Sequence, residues 1–207
     1  MSRRVIANIV LTLDGCTTGP GGVRDMSVVA PHGVSDQARD ALVRMTDATT
    51  VLLGRANYEG FHGWWPSVAA QADADPRDRA FSRWLNEVEK VVFSRTLGSV
   101  DWSNARLATA GPADTVRGLR EASGGDIRVL SSQQVIRQLL NADLIDRLEL
   151  TIAPTIVGDG GQKLFDFGMA ASAWTFSTVD QTDSGALRLV ADRRKDTEPA
   201  SFPASMA

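Results

Sequence analysis

The sequence predicts an α/β domain on a mixed sheet, and three observations predict it. Runs rich in β-branched residues recur along the chain, and stretches of helical period separate the early ones. Alternation of strand, helix and strand requires parallel pairing through crossovers. The last two runs instead face each other across Asp183-Ser184-Gly185, a turn that joins antiparallel neighbours.

Strands are expected at 4–13, 49–53, 89–93, 126–130, 146–153, 173–180 and 185–192, each bounded by Gly, Pro, Asp or Ser. The opening "MSRRVIANIVLTLDG" is basic and then apolar, as in a signal peptide. Asn8, Thr12 and Asp14 interrupt it and no small-residue cleavage site follows, so it is read as the first strand. Residues 35–47 form a helix with Ser35 as N-cap and Ala38, Leu42 and Met45 on one face. The polar stretch 69–79, "AAQADADPRDR", is read as a mobile loop. Helices follow at 112–121, with Val116 and Leu119 together, and at 133–141, with Val135, Ile136, Leu139 and Leu140 together. Ser131-Ser132-Gln133-Gln134 reads as a capping box that opens the second of these. One domain over 1–193 and a disordered tail over 194–207 complete the expectation, with no internal repeat.

Composition excludes several classes of function. With 207 residues, 43% of them hydrophobic, the chain can bury one substantial core. Its 22 Lys and Arg against 25 Asp and Glu leave a net charge of -3, which offers nothing general to nucleic acid or to an anionic membrane. The single cysteine, Cys16, rules out an internal disulfide and a cysteine-based metal cluster, and a reducing cytoplasm is the expected compartment. No apolar run approaches the roughly 18 to 20 residues of a membrane-spanning helix. His32 and His62 have no metal-like partners nearby in sequence and are read as surface or loop residues.

The informative motifs sit at strand ends, where open α/β sheets bind ligands. "LTLDG" (11–15), "LLGRANYE" (52–59), "VVFSRTL" (91–97) and "IRVLSSQQVI" (127–136) close successive parallel strands. With "WWP" (64–66), "LIDRLEL" (144–150) and "APTIVGDGGQKLF" (153–165), this series resembles the dihydrofolate reductase-like family over residues 4 to 192, closest to the reductase domain of riboflavin biosynthesis. The resemblance implies a mainly parallel sheet with helices on both faces and an antiparallel end, NADPH as cofactor, a small-molecule substrate and a homodimer.

It also implies roles. Gly54, Arg55 and Asn57, the last standing where relatives have threonine, would contact cofactor phosphates at a helix N-terminus. The plainer reading is a turn with Arg55 solvated or paired with Glu59. Ser94, Arg95 and Thr96 would hold a 2′-phosphate, or merely cap a strand. Ser131 and Ser132 precede, and Gln133 opens, the helix that holds the pyrophosphate in the family; Ser131 replaces a glycine, so its Cβ penalises a positive φ. Asp14 would orient a heterocycle or relay a proton, against the plainer Asp-Gly turn. Gly158 and Gly160 would line the substrate or nicotinamide pocket, or else form a flexible loop over an edge of the core. Asp36 and Asp40 are weaker candidates for an acid, Asp36 being more simply a helix-start charge, and Tyr58, Trp64 and Trp65 are read as pocket wall or packing, with packing favoured for at least one tryptophan. The function expected is reduction of a C=N or C=O bond in a pterin- or pyrimidine-like heterocycle. A non-catalytic binding relative and a specialised-metabolite reductase remain open alternatives.

Overall fold

A computed structural model describes residues 2–165 and 168–195. Eight strands form one sheet: β1 (Val5–Thr12), β2 (Thr50–Gly54), β3 (Glu89–Phe93), β4 (Ala105–Leu107), β5 (Ile127–Leu130), β6 (Arg147–Ala153), β7 (Ala173–Gln181) and β8 (Leu187–Arg194). Their order is β4-β3-β2-β5-β1-β6-β8-β7. The first six run parallel, and β8 and β7 close the sheet antiparallel, as the turn at Asp183-Ser184-Gly185 requires. Gly185 takes φ 80° there, a conformation that costs an L side chain about 1 kcal/mol or more.

Five α-helices cover the sheet: α1 (Asp36–Arg44), α2 (Arg55–Val68), α3 (Pro76–Glu87), α4 (Pro112–Glu121) and α5 (Gln133–Asn141). Alternation within the strands assigns them to faces. Leu52, Val91, Ile127 and Val129 share a cluster with Val116 of α4 and with Val135, Ile136 and Leu139 of α5. Val51, Leu53, Val92 and Leu130 point the other way, onto Tyr58 of α2 and onto Phe81 and Leu85 of α3, with Leu42 of α1 beside them. Two cores, one on each face, therefore sandwich a sheet whose central strands are buried along all of β5 and along β2 up to Leu53. No helix among the described residues is long and apolar enough to cross a membrane.

Three local expectations are corrected. Residues 76–79 are the first turn of α3 and not loop: Asp75 accepts from the Arg77 amide at 2.8 Å, and Pro76 at the first helical position is preset for the helix. Strand β4 was not foreseen; it is a three-residue edge strand without buried residues. The capping box at 131–134 does not form, because no side chain caps α5 and the Ser132 hydroxyl is engaged elsewhere. Of the expected tail, Arg194 ends β8 and Lys195 donates 2.8 Å to Asp146. Residues 196–207 lie outside the described residues.

One buried cation fixes the approach of α3 to β3. Lys90 is fully buried, and its Nζ donates 2.7 Å to Leu85 O and 2.7 Å to Val88 O while standing 4.9 Å over the Trp102 ring. The ammonium thus satisfies carbonyls at the C-terminus of α3, where the helix dipole also favours positive charge. Burial still lowers its pKa to about 8. The unfolded chain, with an ordinary lysine, binds more protons than the folded one above that pH, so this residue makes stability rise with pH between about 8 and 10.5. Urea unfolding at pH 7 and pH 9.5 should show wild type gaining on the order of 2 kcal/mol relative to Lys90→Met over that interval. Equal pH dependence of the two proteins would refute the assignment.

Candidate active site at the carboxyl edge of the sheet

Because six strands are parallel, the chain leaves the sheet repeatedly at one edge. There β2 and β5 are neighbours, but α2, which follows β2, packs on one face, and α5, which follows β5, packs on the other. Adjacent strands whose successors diverge leave a crevice between them, the point at which open α/β sheets bind ligands. The ladder between these strands stops at Leu52 and Val129. Beyond it, a side chain replaces the backbone: Gly54 N–H donates 2.9 Å to Ser132 Oγ, which itself donates 2.8 Å to Leu130 O. Ser131 N–H bonds Asn8 O of β1 at 2.9 Å, which adds the third strand. This arrangement requires φ 47° at Ser131, the left-handed conformation that its Cβ disfavours.

Both helix N-termini consequently reach the crevice without a side-chain cap. Their orphan amides and dipoles are available to an anion. A cleft of about 420 Å³ opens there, lined by Ala56 and Asn57 of α2, Ser131 and Gln133 before and on α5, and Ile9 and Val10 of β1. Thr17, Thr18, Val23, Met26 and Phe61 make most of its remaining wall apolar or weakly polar. A second, polar hollow of about 380 Å³ adjoins it through Gln133 and Gln162, and is lined by Lys163 and the glycine-rich turn 158–161.

Asp14 lines neither hollow but ties together two segments that do. Its carboxylate accepts from Thr12 Oγ1 at 2.6 Å, Val157 N at 3.2 Å and Gly158 N at 2.9 Å. The Thr12 hydrogen bond and then the two amides outweigh desolvation and keep the carboxyl well below the usual carboxylate range. Segments 12–18 and 157–164 are further joined by Thr17 N to Gln162 O at 2.7 Å and Leu164 N to Gly15 O at 2.9 Å. A Cβ at Gly161 would lie 2.7 Å from Cys16 Sγ, so only glycine lets the two segments approach this closely.

The remaining sites divide. Gly54, Asn57, Ser131, Ser132, Gln133, Gly158 and Gly160 gather around the crevice and its hollow. Arg55 is half exposed and lies 3.5 Å from Glu59, its i+4 neighbour, which also holds Arg24 at 3.0 Å. Ser94 follows Phe93, the register partner of Gly54, and its Oγ accepts from the amides of Thr96 and Leu97; Arg95 and Thr96 are exposed and line neither hollow. Asp36 and Asp40 pair with Arg77 at 2.6 and 2.9 Å on the outer surface. Tyr58 is a core residue whose hydroxyl donates to Asp101, Trp65 packs edge-on to Phe81, and Trp64 is exposed. His32 contacts Ser184 and His62 lies 3.5 Å from Asp101. Thr17, Thr18, Phe61, Gln162 and Lys163 were not singled out from sequence; only their positions after "LTLDG", after "LLGRANYE" and directly after the glycine-rich turn mark them.

Comparison with known proteins agrees with this architecture. A putative riboflavin biosynthesis protein from Shewanella sp. PV-4 superposes with TM-score 0.67 at 22% identity, covering 94% of this chain and all of that one. A pyrimidine reductase-like protein from Corynebacterium diphtheriae gives TM-score 0.61 at 16% identity, covering 94% and 93%. The Thermotoga maritima diaminohydroxyphosphoribosylaminopyrimidine deaminase/5-amino-6-(5-phosphoribosylamino)uracil reductase gives 0.62 at 15% identity, and 57% of that longer chain is matched by 93% of this one. In sequence, the uncharacterised protein YyaP of Bacillus subtilis (strain 168) is 27% identical over 165 residues, 79% of this chain and 81% of that protein. The family described as RibD C-terminal domain matches residues 3–188, and the chain belongs to it.

Proposed function

We propose that the chain is an NADPH-dependent reductase that delivers hydride to a C=N or C=O bond of a small pterin- or pyrimidine-like heterocycle. The observation that carries this reading is the meeting of two uncapped helix N-termini at the β2–β5 crevice, beside an apolar cleft. Amides at helix ends suit a pyrophosphate, and the apolar cleft suits the flat nicotinamide and its acceptor. NADPH would be held by the α2 and α5 amides, with Gly54 and Asn57 on one side, Ser131, Ser132 and Gln133 on the other, and Ser94, Arg95 and Thr96 at its 2′-phosphate. The cofactor supplies the hydride. The protein's own contribution is positioning, because hydride transfer depends on close contact between donor and acceptor carbons.

In this reading Asp14 is a positioning residue. A carboxylate engaged by three donors and held ionised throughout the neutral range has no proton to give, so water at the cleft mouth serves the acceptor atom. Its task is to tie the 12–18 segment to the glycine-rich turn, which keeps Gly158 and Gly160 against the substrate side. The homodimer fits the far end of the sheet: the register puts Phe176, Val179 and Leu187 on one face of β7 and β8, and all three are exposed. A cytoplasmic location accords with NADPH use.

Titration with NADPH and NADH should show saturable binding that favours NADPH, with the preference falling about tenfold or more in Arg95→Ala. Absence of saturable binding would instead support a non-catalytic relative, for which the strained Ser131 is the motivation. Asp14→Asn should lower kcat/KM about 10- to 100-fold while the shape of its profile between pH 5 and pH 8 is kept. A limb near neutrality that disappears in this variant would return the proton to Asp14. Sedimentation should show a dimer that Phe176→Glu converts to monomer; a monomeric wild type removes the interface.

A further inference from the structure

The face of the sheet that carries α1, α2 and α3 is incompletely covered. Between the C-terminal end of α1 and strands β6 and β8 lies a groove of about 630 Å³, whose floor is Ile6, Arg128, Glu149 and Val190. Arg4, Arg44, Arg147 and Arg188 stand around it. Polar side chains on the floor of a sheet are costly unless something balances them.

Balance is incomplete within the protein. Arg4 is committed to Asp126 at 2.6 Å, with Asp47 close by, and Arg147 is committed to Asp192 at 2.7 Å. The other three guanidiniums, Arg44, Arg128 and Arg188, share one largely buried carboxylate, Glu149, with Asp47 also lining the groove near Arg4 and Asp180 standing near Arg188. Arg128 is 4% exposed; its Nη1 lies 2.8 Å from Glu149 but out of line for a hydrogen bond, and neither Nε nor Nη1 has an acceptor. Arg188 reaches Asp180 only at 4.0 Å, and that carboxylate is mostly in solvent. Burial and then the nearby Arg44 push the Arg188 pKa down, against Glu149 and Asp180, with Arg128 adding to the repulsion. Arg44 is exposed and has no ion pair among the described residues.

Three guanidiniums that share one buried carboxylate, with Arg128 Nε left without an acceptor, leave room in the groove for an oxyanion. We propose that this groove binds a phosphate group, free or as a monoester, through Arg44, Arg128 and Arg188. The site is distinct from the crevice at the carboxyl edge: it is built on the strand faces and shares no residue with the cleft or its polar hollow. A fork of donors on three sides suits a dianion with several equivalent oxygens better than a single carboxylate.

Calorimetric titration of the whole chain with inorganic phosphate, and separately with ribose 5-phosphate, at constant ionic strength tests this. The expected result is a saturable one-site isotherm for at least one of them, weakened about tenfold or more in Arg44→Gln and in Arg188→Gln and unchanged in Arg95→Ala. Tighter binding of the ribose phosphate identifies a monoester ligand, and equal binding identifies phosphate itself. Arg44 is exposed, so Arg44→Gln decides the matter even if Arg188→Gln fails to fold. Three results overturn the proposal: no saturable binding of either anion, binding lost in Arg95→Ala but kept in both groove variants, or a dimer that the groove variants dissociate, which would make a second copy the occupant.

Discussion

The hydrogen bond from Gly54 N–H to Ser132 Oγ is the contact on which the candidate site depends. Backbone pairing between β2 and β5 ends at Leu52 and Val129, and from there the two chains must part, since their helices leave for opposite faces. Without a bridge the part-buried Gly54 N–H would lose its partner, at about 1–3 kcal/mol. One hydroxyl, accepting from Gly54 and donating to Leu130 O, sets the gap at the width of a side chain. The amino ends of α2 and α5 are therefore held close enough to act on one ligand. The same hydroxyl is then unable to cap α5, and the uncapped amides are what an anion would use.

This trade explains where local reading of the sequence succeeds. Strands announce themselves through β-branched runs with clear boundaries, and α1, α4 and α5 through apolar residues at helical spacing, so seven of the eight strands and three helices were legible. Helix α3 was hidden because its start, Asp75-Pro76, lies in a stretch of alanine and aspartate; the cap and the proline are the signal, and the buried residues Phe81 and Leu85 come a turn later. Strand β4 has three residues and no buried position, which leaves periodicity nothing to detect. The capping box failed for a different reason. Its serine is claimed by a residue 78 positions away, and no local rule weighs a tertiary hydrogen bond.

Site residues were legible in the same proportion. Glycines and serines at strand ends converge because parallel topology forces it, so Gly54, Ser131 and Ser132 follow from the fold class. The state of Asp14 does not follow, since its decisive donors at Val157 and Gly158 are more than 140 residues away. Nor did local reading isolate Lys90 or Arg128, where strand alternation places a cation on a buried face. Lys90 is offset by carbonyls of its own neighbourhood, and Arg128 is not, although both are buried in adjoining regions of one sheet. The difference is one of supply: α3 ends over Lys90 and presents carbonyls, whereas the face over Arg128 presents further guanidiniums.

The crevice walls also differ in how firmly they are held, and the difference indicates which one yields to a ligand. On one side, segments 12–18 and 157–164 share backbone hydrogen bonds, the Asp14 carboxylate and a Cys16–Gly161 contact too close for any side chain. These constraints act together, so that wall moves as a unit or not at all. On the other side, the loop that carries Val23 and Met26 reaches α2 through Arg24 and Glu59, an ion pair with the arginine largely in solvent. Exposed pairs of this kind contribute about 0–1 kcal/mol, and Arg55 competes for the same carboxylate. Opening the cleft at this loop costs little, whereas opening it at the Asp14 wall disrupts several hydrogen bonds at once. The loop side of the cleft is thus the less firmly held, and the Asp14 side is the more heavily cross-linked wall.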